Sequence, residues 1–198
     1  MVCRVFDFFA KRHSFYEINQ SIPCSRDDIT KMILRALELY PSSFNSQSSR
    51  LLVLYQDEHK RFWNLVKQEL LNTAPQDKQD AIKNRIASFS SGFGTILYFI
   101  DTSIVHAQEK AMPLYAENFN NWAMQSSAML QFMIWSAFAN NNIGASLQHY
   151  NPLVNQMVEK TFNIDKNWEL VAQMPFGGIK SIPQPHIVEN LNEKISIL

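Results

Sequence analysis

From Glu117 to Asn140 the chain has almost no polar face. Trp122, Met129, Phe132, Met133, Ile134, Trp135 and Phe138 crowd one stretch. This pattern predicts the longest helix of the chain, apolar nearly all round. Such a helix must be covered on most sides, so it sits in the middle of a core or in the core of a dimer. Gln125, Ser126, Ser127, Gln131 and Ser136 interrupt it. Its strongly apolar centre is shorter than the roughly 20 residues that a bilayer requires. The reading is a protein core, not a membrane span.

The other elements arrange themselves around this helix. Ser25 can N-cap a helix over 25–40, and Asp27 and Asp28 suit its positive start. Ile29, Met32, Ile33, Ala36, Leu37 and Tyr40 recur at helical spacing, and Pro41 stops them. Residues 50–56, 95–101 and 168–177 are apolar runs bounded by turn residues and read as buried strands. A helical period returns over 60–72 and, with a weaker apolar face, over 76–89. Gly144 is expected to punctuate the end of the long helix, with a short extended piece after it. Asn151 and Pro152 are expected to start the next helix as N-cap and N1. Prolines keep the tail from Pro183 irregular at first. The expectation is one α+β domain over residues 1–198, with more helix than strand.

Only 18% of the 198 residues are charged, against roughly 25% in average soluble proteins. Either a partner subunit or a cofactor covers part of the surface, or the chain is an aromatic-rich monomer. The formal net charge is zero, and Lys and Arg are scattered. No nucleic acid and no acidic membrane is expected as a partner. The first 15 residues show no secretory signal, and a cytoplasmic location is expected. Two cysteines without CxxC spacing make neither a disulfide framework nor a zinc site. The five histidines show no HxH or HExxH spacing, so no metal is expected. His13 and Ser14 are neighbours, but no GxSxG elbow supports a serine nucleophile. Neither GxGxxG nor GxxxxGK[ST] is present, so a nucleotide cofactor would be held another way.

Two stretches offer ligand chemistry. Arg12, His13 and Ser14 combine a planar fork of donors, a ring and a hydroxyl, which together could clamp a phosphate. They also fit a solvated basic end of the first helix. The run from Ser42 to Ser49 places small polar residues between a helix and a strand. It is either a plain turn or a set of hydrogen-bonding groups aimed at a ligand.

Four stretches taken in order, "KRHSF" (11–15), "PSSFNSQ" (41–47), "GASLQHYNP" (144–152) and "AQMPFGGIK" (172–180), resemble the nitroreductase family of flavin enzymes. The best match is its compact fatty-acid-repression-mutant-type branch. The resemblance implies an α+β fold, a central mainly antiparallel sheet flanked by helices, and a homodimer with two FMN molecules at the subunit interface. It implies that Arg12, His13 and Ser14 contact FMN from one subunit. Ser42, Ser43 and Asn45, with Gln47 nearby, would reach it from the other. Leu147, Gln148, His149 and Tyr150 would run beside the ring, with backbone N–H groups bonding it, and Lys180 would meet the phosphate. No side chain is assigned as catalytic, because the cofactor carries the chemistry. NADH or NADPH would deliver hydride, and a nitroaromatic, quinone or similar small aromatic acceptor would take the electrons. The alternative is a flavin-binding regulatory protein with incidental reductase activity. The tail over 183–198 is expected to wrap the partner subunit. Three departures stand out. Phe15, Tyr16 and Glu17 follow Ser14 where many relatives place a basic residue. Ile182 stands where many have a second one after Lys180. Residues 72–93, which often line the substrate channel, match the larger branches poorly.

Overall fold

The three apolar runs form the three long, adjacent strands of one antiparallel sheet in the computed structural model, which describes residues 3–184 and 187–198. Pro185 and His186, in the tail, lie outside the described residues. The strands are β1 (Ile18–Asn19), β2 (Ser49–Tyr55), β3 (Gly94–Asp101), β4 (Ile143–Ala145) and β5 (Trp168–Ile179). Their order is β1-β5-β3-β2, and β4 also pairs with β5. Every ladder between them is antiparallel. β3 is buried along its whole length. A strand covered on both faces reads as a continuous apolar run rather than an alternation.

Alternate residues of β3 feed two layers. Ile96, Tyr98 and Ile100 pack with Ile29, Ile33 and Ala36 of α2 (Arg26–Leu39) and with Leu130, Ile134 and Phe138 of α6 (Phe119–Asn140). Leu97 and Phe99 pack with α3 (Gln56–Thr73), α4 (Gln79–Ser90) and α7 (Asn155–Phe162), through Phe62, Trp63, Val66, Ile86, Phe89 and Val158. A bulge in β5 sets Tyr98 opposite Ala172 and Phe99 opposite Leu170, so Val171 drops out of that ladder. α1 (Cys3–Ala10) and α5 (Thr102–Ala111) complete the helices. The sequence reading has no counterpart to α5. Its N-cap is Asp101, the last residue of β3, whose carboxylate accepts the Ser103 N–H at 3.1 Å and pairs with Arg50 at 3.1 Å.

Two helix starts, and the residue that ends a third helix, differ from expectation. α3 starts at Gln56, directly after β2, rather than at Lys60. α6 ends at Asn140, as expected, but Asn142 (φ 55°), not Gly144, takes the left-handed turn after it. Gly144 lies inside β4 instead, where a Cβ would come within 3.0 Å of Phe15 Cβ and Ile179 Cγ1. Its lack of a side chain serves close packing, not helix termination. Asn151 and Pro152 sit in a turn, and α7 begins only at Asn155.

α6 is buried along Ser126, Leu130, Ile134 and Phe138, while Met124, Met129 and Phe132 stay exposed. Leu114 and Tyr115, in the 3₁₀ turn before it (Pro113–Asn118), are exposed too. The tail forms one 3₁₀ turn, Leu191–Lys194, and is exposed from 187 to 198. No helix among the described residues is long and apolar enough to cross a membrane.

Candidate functional site

α1 ends at Ala10, so Arg12 is not part of a helix end. The chain turns there, with the Arg12 N–H donating to Phe9 O at 3.1 Å. It then runs along β4: Ser14 bridges Ala145, and the Phe15 N–H donates to Ala145 O at 2.9 Å. The indole N–H of Trp135 fastens this strip to α6, donating to His13 O at 3.2 Å and Ala145 O at 3.1 Å. The Arg12 guanidinium lies 4.3 Å from the centre of the Trp135 ring, a cation–π contact that fixes its position. Further along, the Lys180 N–H donates to Glu17 O at 3.0 Å, and Ile18 pairs with Ile179. Lys180 therefore reaches the strip that carries Arg12 and Ser14. Among the described residues, no carboxylate forms an ion pair with either cation.

Residues 147–150 follow β4 along the edge of β5, and their amides alternate in direction. The Gln148 N–H donates to Gln173 O at 2.7 Å, and the Gln173 N–H returns to Gln148 O at 2.9 Å. The Tyr150 N–H donates to the Gln173 side-chain Oε1 at 2.8 Å. Two of the four amides expected to face a ligand are thus consumed inside the chain. The Leu147 and His149 amides fall on the opposite side by the period of two, and have no hydrogen-bond partner among the described residues. Tyr150 departs from expectation a second time. Its ring turns into the α3–α4 layer, 6.0 Å from the Trp63 ring, and burial pushes its phenol pKa up.

The polar run after α2 is a tight, self-bonded turn. Ser43–Asn45 form a 3₁₀ turn, and Phe44, Asn45 and Gln47 have φ of 52°, 52° and 50°. Three non-glycine residues in the left-handed region store backbone strain, which is concentrated at functional sites. Ser42 Oγ accepts the Gln47 N–H at 3.0 Å, and Asn45 Oδ1 accepts the Gln47 amide at 3.1 Å. The Ser43 N–H donates to Ser126 Oγ of α6 at 3.4 Å. Phe44, exposed, leans on Phe119 and Trp122. Ser48 and Ser49 are buried, and their hydroxyls have no partner among the described residues.

Ser126 and Trp135 show how far apart the two groups stand. Nine helical residues separate them, about 13.5 Å along the axis and half a turn out of phase. The sheet agrees. Ser49 pairs with Ile100 at one end of β3, while Ala145 pairs with Phe176, the partner of Gly94 at the other end. Six strand residues span about 20 Å. One chain therefore places Arg12, His13 and Ser14 beside the Gly94 end of β3 and Lys180 beyond it, whereas Leu147, Gln148 and His149 lie toward the middle of the sheet, where Gln148 meets Gln173, the partner of Leu97. Ser42, Ser43, Asn45 and Gln47 stand at the other end.

Sequence reasoning missed two supporting residues. Trp135 reads as core, yet its N–H pins the Arg12 strip. Gln173, fully buried in β5, aligns the 147–150 edge. A lone glutamine inside an apolar strand was the available signal.

The Nitroreductase family model matches residues 10–178. The chain belongs to the nitroreductase family. Among curated relatives, the putative nitroreductase HBN1 of Saccharomyces cerevisiae is 26% identical over 168 residues, covering 84% of this chain and 83% of that protein. The nitroreductase FRM2 of the same yeast is 24% identical over 175 residues, covering 87% and 86%. Both agree with assignment to the compact branch. Among solved structures, nitroreductase CinD from Lactococcus lactis, in complex with chloramphenicol, is 29% identical with a TM-score of 0.89, covering 98% of this chain and 99% of that one. A nitroreductase from Desulfitobacterium hafniense with bound FMN shares the fold, at 18% identity and a TM-score of 0.72, covering 98% and 97%.

Proposed function

We propose that this nitroreductase-family chain is an FMN-dependent oxidoreductase that works as a homodimer, most plainly in the cytoplasm. It takes hydride from NADH or NADPH and reduces nitroaromatics, quinones or similar small aromatic acceptors. The observation that carries this reading is the donor set along the β4–β5 side of the sheet. Arg12 and Ser14 lie beside Ala145, the Leu147 and His149 amides point outward further along β5, and Lys180 follows its end, with no carboxylate ion-paired to either cation among the described residues. That chemistry fits a phosphate at one end and the polar edge of a flavin at the other.

In this reading Arg12, His13 and Ser14 hold the phosphate end together with Lys180, and Trp135 keeps Arg12 in place. The Leu147 and His149 N–H groups orient the ring and favour negative charge on its edge. Ser42, Ser43, Asn45 and Gln47 of a second copy close the other side. The exposed apolar strip around Met129 and Phe132 is then buried between copies, and the tail from Pro183 lies on the partner. Bound FMN supplies the hydride chemistry, so no side chain need act as a general acid or base. A quinone acceptor takes two electrons and two protons to become a hydroquinone, one of the protons coming from solvent.

The test is an absorption spectrum of the purified protein, followed by release and chromatography of the chromophore. About one FMN per chain is expected. Arg12→Ala is expected to weaken FMN binding about 10- to 100-fold, the range of a charge-assisted hydrogen bond. A colourless protein that cannot be loaded with FMN overturns the reading. Slow turnover with every acceptor, in a protein that does hold FMN, leaves a flavin-binding regulator instead.

A further inference from the structure

We infer that the groove between α1, α2 and α6 is a second ligand site, fitted to an aromatic carboxylate of two fused rings that carries one further polar atom at its far edge. The groove shares no residue with the donor set described above, and the inference does not depend on FMN. Ile29 and Ile33 of α2 go to the core. A second stripe of the same helix, Met32, Ala36 and Leu39 at i, i+4 and i+7, turns toward α1 and α6 instead. With Phe8, Phe9 and Met133 it encloses a cavity of about 510 Å³. Phe8 and Leu39 are 41% and 52% exposed. Apolar surface left open around one concave site marks a place for a guest.

Charge, an unpaired hydroxyl and the walls together define that guest. Lys31 and Arg35 line the groove, and no carboxylate does. Both side chains are exposed, so they stand at its mouth. Lys31 has no ion pair among the described residues, and Arg35 shares one with Glu38 at 2.6 Å, which engages only part of its fork of donors. The mouth therefore favours an anion. Ser136 is fully buried yet lines the same cavity, and its hydroxyl has no partner among the described residues. Ser126 of the same helix donates back to Trp122 O at 2.7 Å, the usual recourse of a helical serine. Ser136 does not, and a buried hydroxyl left open calls for a partner. A polar atom of a guest that reaches the floor supplies it. Between mouth and floor the walls are two phenyl rings and two methionines. These favour a flat ring over an alkyl chain, through edge-to-face and sulfur–ring contacts.

The experiment titrates the purified protein with 6-hydroxy-2-naphthoate, read by the fluorescence of the probe, and compares its methyl ester and three variants. Lys31→Gln combined with Arg35→Gln is expected to weaken binding about tenfold, the lower end for hydrogen bonds to charged groups. Both changes are on exposed side chains, so the fold is kept. Ser136→Ala weakens binding about fivefold, as for one ordinary hydrogen bond. Ala137→Trp fills the groove and abolishes binding. The ester binds about tenfold more weakly than the acid. No binding to the wild-type protein, as when a second copy of the chain covers the groove, overturns the inference. So does binding that none of the three variants alters, which puts the probe elsewhere on the molecule, or an ester that binds as well as the acid.

Discussion

Thr95→Val is expected to destabilise the fold by about 3 kcal/mol, although it exchanges one hydroxyl for one methyl. Thr95 Oγ1 is the centre of a network buried between β3, α3 and the end of α4. The Trp63 indole N–H donates to it at 2.8 Å, and His59 Nδ1 lies 2.8 Å from it. His59 Nε2 is 3.2 Å from Ser90 O. A carbonyl only accepts, so Nε2 carries the proton, and Nδ1 must accept from the Thr95 hydroxyl. Every donor hydrogen of the three groups is used, and all three residues are at most 1% exposed. Valine leaves the indole N–H and His59 Nδ1 unpaired in a dry site, at about 1–3 kcal/mol each. Thr95→Ser keeps the hydroxyl and loses only a methyl, about 1 kcal/mol. Urea denaturation separates the two; equal losses would refute the network.

The same site sets an acid limit. Burial pushes the His59 pKa down to about 4 from the ordinary 6.5. Between those values the unfolded chain binds a proton that the folded chain refuses. Stability is therefore complete above pH 6.5 and is lost as pH falls toward 4, by about 3 kcal/mol in all. The Asp28 carboxyl, held below its usual range by the Ser25 hydroxyl and N–H, acts only at still lower pH. A urea midpoint unchanged between pH 7 and pH 4.5 would contradict the neutral, buried His59.

Gly178→Ala is expected to cost about 3 kcal/mol or more and to loosen FMN binding at the same time. A Cβ on Gly178 would lie 1.9 Å from Ser21 O and 2.5 Å from Asn19 Oδ1. A backbone oxygen cannot move aside as a flexible side chain can. The substitution must push β1 away from β5, at the upper end of overpacking costs. β1 continues the strip that carries Arg12 and Ser14, so the disturbance runs into the proposed phosphate site. Denaturant midpoints and FMN titration measure the two effects. A stability change below about 0.5 kcal/mol would mean that the strands do not approach as closely as described.

Elements were legible where local chemistry and tertiary need agree. Ser25 and Asp28 form a reciprocal capping box, with Ser25 N–H to Asp28 Oδ2 at 3.0 Å and Asp28 N–H to Ser25 Oγ at 3.2 Å. β3 announced itself as a continuous apolar run because both its faces are covered. Gly144 and Pro152 misled because helix-end rules are local, whereas Gly144 answers to Phe15, 129 residues earlier in the chain. α5 was hidden because Val105 is its one buried residue and its cap belongs to a strand. The site stretches were visible as motifs. Which amides face outward was not, because that depends on the Gln148–Gln173 register.

α6 fixes the two groups of site residues on opposite faces of one rigid rod, touching the Ser43 turn at Ser126 and the Arg12 strip at Trp135. In the proposed two-fold pair, each flavin then draws Arg12 from one chain and Asn45 from the other. Consider a hybrid of one chain crippled at Arg12 and one crippled at Asn45. Both lesions fall on the same flavin, and the second site is assembled wholly from sound parts. Two inactive preparations, unfolded and refolded together, would complement each other. A pair crippled twice at the same position never could.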